Sequence, residues 1–343
     1  MYDEADPSGD LLITLLPSSE PFATEAEESC SKLSEDFFLA AAGLDSLEMW
    51  DLEEDDDDIG DEPEPLRIKV SSKRLCQAAA RFKKMLTGPW IEATTVYDDG
   101  LRHVDMEGFD VDAFRVVMHV IHGNDSRVPS VVDLDTLVKI ALVVDDLHCA
   151  EAVAAFAALW TSGVRMQLPD VCNRDLVLWI FVSYTLRLLD IFHTATSTAM
   201  FNSQGPIPTY GLPIRQGIVD SIDNRRRNGI QELLARSNRE LGVHCLGDMP
   251  CCEGCHEAFH DMIAEKLNSL LLTDGRARSD LGPMIGHSYN NVAGSIFNIC
   301  CPELPCQQPF STHLIWHWYE CHLADVELEC LSALTLGEFG YAT

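Results

Sequence analysis

An α+β first half followed by an all-helical second half is the fold class that the hydrophobic patterning of this 343-residue chain predicts. Three observations carry that expectation. Two short apolar runs of strand character, "LLITLL" at 11–16 and the alternating "LRIKV" at 66–70, flank a long acidic stretch. From Ser71 to Trp160 apolar residues recur at helical spacing, interrupted by one strand-and-turn pattern at 94–106. Past Pro169 the apolar stretches have a helical period, with nothing that reads as a strand. A chain of this length supports two cores of ordinary domain size, about 100–200 residues each.

The elements follow in order. Leu11 to Leu16 reads as a buried strand and Leu66 to Val70 as a half-buried one, so the segment between them is an overgrown hairpin connection. That segment, 17–64, holds eighteen Asp or Glu against Lys32 alone and supplies −17 of the chain's net charge of −31. Like-charge repulsion and scarce apolar surface predict disorder there. Its middle carries Phe37, Phe38, Leu44, Leu47, Met49, Trp50 and Leu52 among carboxylates. Such a mixture fits a solvated insertion loop, and it fits an amphipathic activation segment. After Ser71, Leu75, Ala78, Ala79 and Phe82 share a helical face, with Met85 and Leu86 a turn further on, until Gly88-Pro89 interrupts. "TTVYDDGLRHVDM" predicts a strand, an Asp-Asp-Gly turn and a second strand. Three helices follow: one marked by Phe114, Val117, Met118 and Ile121, then Leu134–Leu147 and Ala150–Trp160.

In the second half "RDLVLWIFVSYTLRLLDIF" is apolar nearly all round, as a central bundle helix must be. Ile218, Ile222, Leu233, Leu234 and Leu241 then run along a longer charged segment, with Gly229 as a candidate bend. Segments 256–272, 288–299 and 313–335 each show a helical apolar stripe. The economical division is a mixed domain over 9–162, interrupted at 17–64, and a helical domain over 163–343.

Charge excludes some roles. A chain at −31 lacks the basic face on which nucleic-acid affinity rests, so direct DNA or RNA binding is not expected. The acidic start "MYDEADPSGD" does not resemble a secretory signal, which places the chain inside the cell, in cytoplasm or nucleus. "LVLWIFV" at 176–182 is soon broken by Arg187 and Asp190, short of the roughly 20 residues that span a bilayer.

The order of elements over 9–160, with the residues on them, resembles a BTB/POZ domain of the filamentous-fungal type. "GDLLITL" is similar to that family's opening strand. "IKVSSKRLCQAAARFKKML" resembles its second strand and following helices, with Ile68, Val70, Leu75, Phe82 and Met85 on the hydrophobic positions. "AFRVVMHVIHG" looks like the helix ending in Tyr-x-Gly, with Ile121 at the tyrosine and Gly123 at the cap; "ALVVDDLHCAEAV" matches a later helix through Ala141 and Asp145. The chain departs from the pattern at Ser71 and Ser72, where His-Lys is usual, at Ala79 and Ala80, where Ser-Pro is usual, and at Leu147, where Tyr is usual.

The resemblance implies a protein-interaction role. Cullin-binding members carry a hydrophobic-x-Glu triplet after the second short helix, and "MLTGPWIEA" puts Trp90 and Glu92 on those positions. An aromatic anchor beside an orienting charge suits a partner-binding hot spot. The same residues also fit a tryptophan capping the core beside a solvated charge. Dimerising members have an extra helix before the first strand; only ten residues precede Leu11 here, which puts a swapped dimer in doubt.

The thirteen cysteines read as thiols by default. Cys252 and Cys255 have the spacing of half a zinc site, for which Cys245 and Cys306 are candidate further ligands; one pair leaves zinc and free thiols both open. No Gly-rich phosphate loop, Gly-x-Ser-x-Gly elbow or His-Glu-x-x-His helix occurs, so no enzymatic activity is expected. The expected function is a protein-protein adaptor, for example of a cullin-type ubiquitin ligase. The alternative is a transcriptional co-regulator that uses the acidic segment and takes its DNA binding from a partner.

Overall fold

The structure, a computed structural model, describes residues 3–17, 65–162, 168–243, 286–297 and 330–340. The chain separates into two compact units, Met1–Trp160 with Tyr210–Leu212, and Thr161–Thr209 with Pro213–Thr343. The class is α+β, with one small mixed sheet and otherwise helices. The acidic segment from residue 18 to 64, Cys245, Cys251, Cys252, Cys255 and Cys306, the stripe at 256–272 and most of 313–335 lie outside the described residues.

The first unit is built on a four-stranded sheet of order β1-β3-β2-β4, formed by β1 (Asp3–Glu4), β2 (Leu11–Pro17), β3 (Leu66–Val70) and β4 (Arg102–Phe109). β2 is antiparallel to β3, with Leu11 opposite Val70 and Leu15 opposite Leu66, and parallel to β4, with Ile13 opposite Val104. Leu11, Ile13 and Leu15 are fully buried, as are Ile68 and Val70 across from them, while Arg67 points to solvent. Alternate burial of this kind fixes register, because a slip by one residue would turn Arg67 inward.

Two short helices, α1 (Ser72–Ala78) and α2 (Ala80–Thr87), follow β3. They part at Ala79, whose extended backbone (φ −127°, ψ 116°) serves as the end of one and the start of the next. No side chain caps that break; it is held by burial of Leu75, Ala79 and Phe82. The first strand of the expected pair, at 94–97, does not form: Thr94 ends one helical turn, α3 (Ile91–Thr94), and 95–97 is irregular. β4 pairs with β2 and takes the sheet edge, so Val96, 63% exposed, has no layer to pack on.

Aspartates open the next two helices. Asp110 accepts from the Asp112 and Ala113 amides at the start of α4 (Val111–His122), and Asp133 accepts from Thr136 at the start of α5 (Leu134–Leu147). Lys139 of α5 reaches back to Asp110 at 2.8 Å. In α6 (Ala150–Trp160) the indole of Trp160 donates to the Pro129 carbonyl at 2.7 Å.

The second unit's helices are α7 (Arg174–Thr185), α8 (Leu189–Asn202), α9 (Gln216–Val243) and α10 (Tyr289–Phe297). α7 is buried from Leu176 to Thr185, so its all-round apolar sequence has a packing cause. The single helix expected over 174–192 is two. Arg187 takes a left-handed conformation (φ 57°), its amide donates to Tyr184 and that of Leu188 to Ser183, which ends α7 and turns the chain into α8. Gly229, the candidate bend, has helix on both sides of it within α9. A Cβ there would come within 2.9 Å of Leu331, so the missing side chain makes room for the segment at 330–340. Leu331, Leu334 and Leu336 of that segment are buried, and Arg215 and Arg225 of the same unit hold it by bonds to Phe339, Ser332 and Glu338.

Candidate interaction edge

The most exposed apolar cluster near a sequence-selected position is the turn after α2. The helix stops at Gly88, whose extended ψ of −177° takes the chain away from the helix axis, and Pro89 prevents resumption. Trp90 is the residue before α3. Its carbonyl accepts from the Ala93 amide at 3.1 Å and from Thr94 Oγ1 at 3.0 Å, and the Thr95 amide closes the turn on Ile91. The backbone of the turn is therefore fixed by its own bonds while its apolar side chains face outward. Trp90 is 59% and Ile91 71% exposed. A Cβ on Gly88 would lie 2.5 Å from two atoms of the indole, so the ring lies back across the helix end rather than entering the core. Phe82 and Leu86 fill the core at that point.

Glu92 is half-buried and has no hydrogen-bond or ion-pair partner among the described residues. Further along, Tyr97 stacks on His103 with ring centroids 4.3 Å apart, and His103 Nε2 lies 2.8 Å from Asp99 Oδ2. The Leu101 amide and then His103 hold the Asp99 carboxyl below its ordinary value. These bonds set the loop so that Val96 and Tyr97 stay at the surface. Reading "TTVY" as a strand hid that: β-branched and aromatic residues carry the same local signal whether a sheet receives them or solvent does.

Two polar networks fasten the scaffold behind this edge. Ser72 donates to Asp10 through its amide (2.9 Å) and hydroxyl (2.7 Å), and Arg102 donates to the same carboxylate at 2.6 Å. Burial pushes the Asp10 carboxyl up, but the Ser72 and Arg102 bonds outweigh it and hold the carboxyl below its usual value. The buried His122 takes the Ser71 amide proton on Nε2 at 2.9 Å, which leaves its own proton on Nδ1, directed at the Met118 carbonyl 2.8 Å away. Arg74 donates to the His122 carbonyl. Ser71 and Ser72 thus join β3 to β2 and to α4. Sequence reasoning missed these partners because they are remote along the chain.

Burial pushes the Cys149 thiol up to about 12 and also raises Cys76 and Cys172, the opposite of what a nucleophile needs. Among the described residues no group of three or more His, Cys, Asp or Glu could hold a metal ion; the expected ligands Cys252, Cys255, Cys245 and Cys306 lie outside them. Nor, among them, is any helix long and apolar enough to cross a membrane. No family model matches the chain, and no curated protein or solved structure matches it.

Proposed function

We propose that the chain is a non-enzymatic protein-interaction module whose first unit is a BTB/POZ-like domain, docking a partner such as a cullin scaffold through the turn at Trp90 and Glu92. The observation that carries this reading is the exposure of Trp90 on a turn whose backbone is already held by its own bonds. An aromatic that is ordered but uncovered suits an anchor, since little entropy is lost when a partner covers it. Glu92 beside it is unpaired among the described residues and supplies an orienting charge. The succession of two antiparallel strands, two short helices, a parallel strand and three helices supports the family reading over residues 11–160.

The test is capture of a cullin N-terminal fragment by the full chain. Trp90→Ala and Glu92→Lys are each expected to weaken capture by about tenfold or more. Both should shift the melting temperature by no more than about 2–4 °C, the equivalent of about 1 kcal/mol. Unaltered capture in both variants, or a fragment that never binds the parent chain, refutes the assignment.

A further inference from the structure

The segment that leads into this edge carries the reverse of the charge of the chain. Between residues 65 and 91 stand seven Lys or Arg and no Asp or Glu, in a protein whose net charge is −31. On α2, Lys83 and Lys84 are exposed, and neither ammonium group has an ion-pair partner among the described residues; Arg81 on the same helix is matched by Asp146. Lys84 lies one helical turn before Gly88, and residues four apart share a helix face. The notional Cβ on Gly88 that would touch the indole lies 3.2 Å from the Lys84 carbonyl. The helix that carries the two unpaired lysines therefore runs directly into the exposed Trp90 and Ile91.

We infer that the surface joining Lys83 and Lys84 to Trp90 and Ile91 binds an acidic amphipathic peptide segment of a partner protein, its carboxylates on the two ammonium groups and its apolar side chains on the indole and Ile91. This rests on the interaction reading above and names the chemistry of the partner segment that meets α2 and Trp90, Glu92 facing another part of the partner. Each half of the surface needs the other. Exposed ion pairs alone contribute little, and an isolated indole and isoleucine select no partner, whereas carboxylates spaced between apolar residues meet both. Glu92 bounds the surface at its far end and repels acid there, so the peptide's carboxylates must lie toward α2. A chain at −31 also repels acidic peptides at long range, so binding of one reports this local surface and not general attraction.

The experiment is fluorescence anisotropy with the full chain and three labelled synthetic peptides of about 12 residues. One alternates Asp/Glu with Leu and Phe at helical spacing, the second keeps its charges with Ser for every apolar residue, and the third keeps its apolar residues with Lys for every acid. The first is expected to bind, about tenfold or more weaker at about 300 mM than at about 50 mM salt, and the other two are not. The double variant Lys83→Glu/Lys84→Glu and Trp90→Ala should each lose about tenfold in affinity, while Glu92→Lys should hold or tighten binding. No binding of the first peptide, equal binding of the third, or full affinity in the lysine variant overturns the inference. Failure here is separable from failure of the cullin reading, because Glu92→Lys weakens capture there and does not weaken binding here.

Discussion

The two units place their polar bonds differently. The first joins segments remote in sequence: Asp10 to Ser72 and Arg102, Ser71 to His122, and Asp3 to Arg115 and Arg127. The second has a buried cluster on a single helix, where Arg226, with no exposed side-chain surface, donates through Nε and Nη2 to Asp223 three residues earlier and through Nη1 to the His287 carbonyl, while Arg227 Nε lies 3.1 Å from the other oxygen of Asp223. Distributed, partly exposed bonds each specify part of a topology, and losing one costs about 1 kcal/mol. A buried cluster specifies less and fails harder, because several charge-assisted bonds go together when Arg226 is lost.

Arg226→Met breaks the comparison most sharply. It should cost the second unit about 2–3 kcal/mol, less than a stranded charge would, because Asp223 keeps Arg227; the loss is seen as reduced amide protection along α9 with α5 amides retained as the internal reference. A variant as protected as the parent would show that the cluster is not the second unit's support.

The first unit's counterpart is acid sensitivity. Burial, outweighing the bond to Met118, holds His122 below its ordinary value of 6.5. The unfolded chain therefore binds a proton near pH 6.5 that the folded chain refuses, and the stability is present in full above that pH and lost as pH falls toward the folded value. The sign follows from geometry as well, because a protonated Nε2 cannot accept the Ser71 amide. His119, also buried and lowered chiefly by desolvation, adds in the same direction. Denaturant midpoints at pH 7.5 and 5.5 should fall for the parent and fall less for His122→Gln, whose amide oxygen still accepts from Ser71 without titrating. Equal slopes in the two proteins would sink this account.

Legibility followed the range of the interaction that decides each feature. The limits of α5 and α6 were readable because apolar period and local stop signals agree, and the two strands at 11–17 and 66–70 because alternation and flanking residues agree. The break inside 174–192 was not, since Leu186, Arg187 and Leu188 include neither Gly nor Pro and the turn is made by backbone bonds. The packing use of Gly229 was hidden for a similar reason: it lies in Leu331, about a hundred residues on. At the edge, Trp90 and Glu92 were selected by position, while Ile91, Val96 and Tyr97 were hidden because exposure depends on whether a neighbouring layer exists.

The smallest expected effect compares how helices stop in the two units. α4, α5 and α7 all end with a left-handed residue and the same pair of backbone bonds, yet that residue is Gly123, His148 and Arg187 in turn (φ 71°, 53° and 57°). Only glycine adopts this conformation without a Cβ penalty, about 1–2 kcal/mol for other residues, offset in part by glycine's greater freedom in the unfolded chain. His148→Gly should therefore stabilise the first unit by about 0.5–1 kcal/mol, and Gly123→Ala should destabilise it by about 1 kcal/mol. Arg187→Gly should gain less, because the arginine makes contacts that glycine cannot replace. Thermal melts of the three variants order these effects. A His148→Gly protein less stable than its parent would mean that the imidazole contributes at that stop more than the backbone penalty it carries.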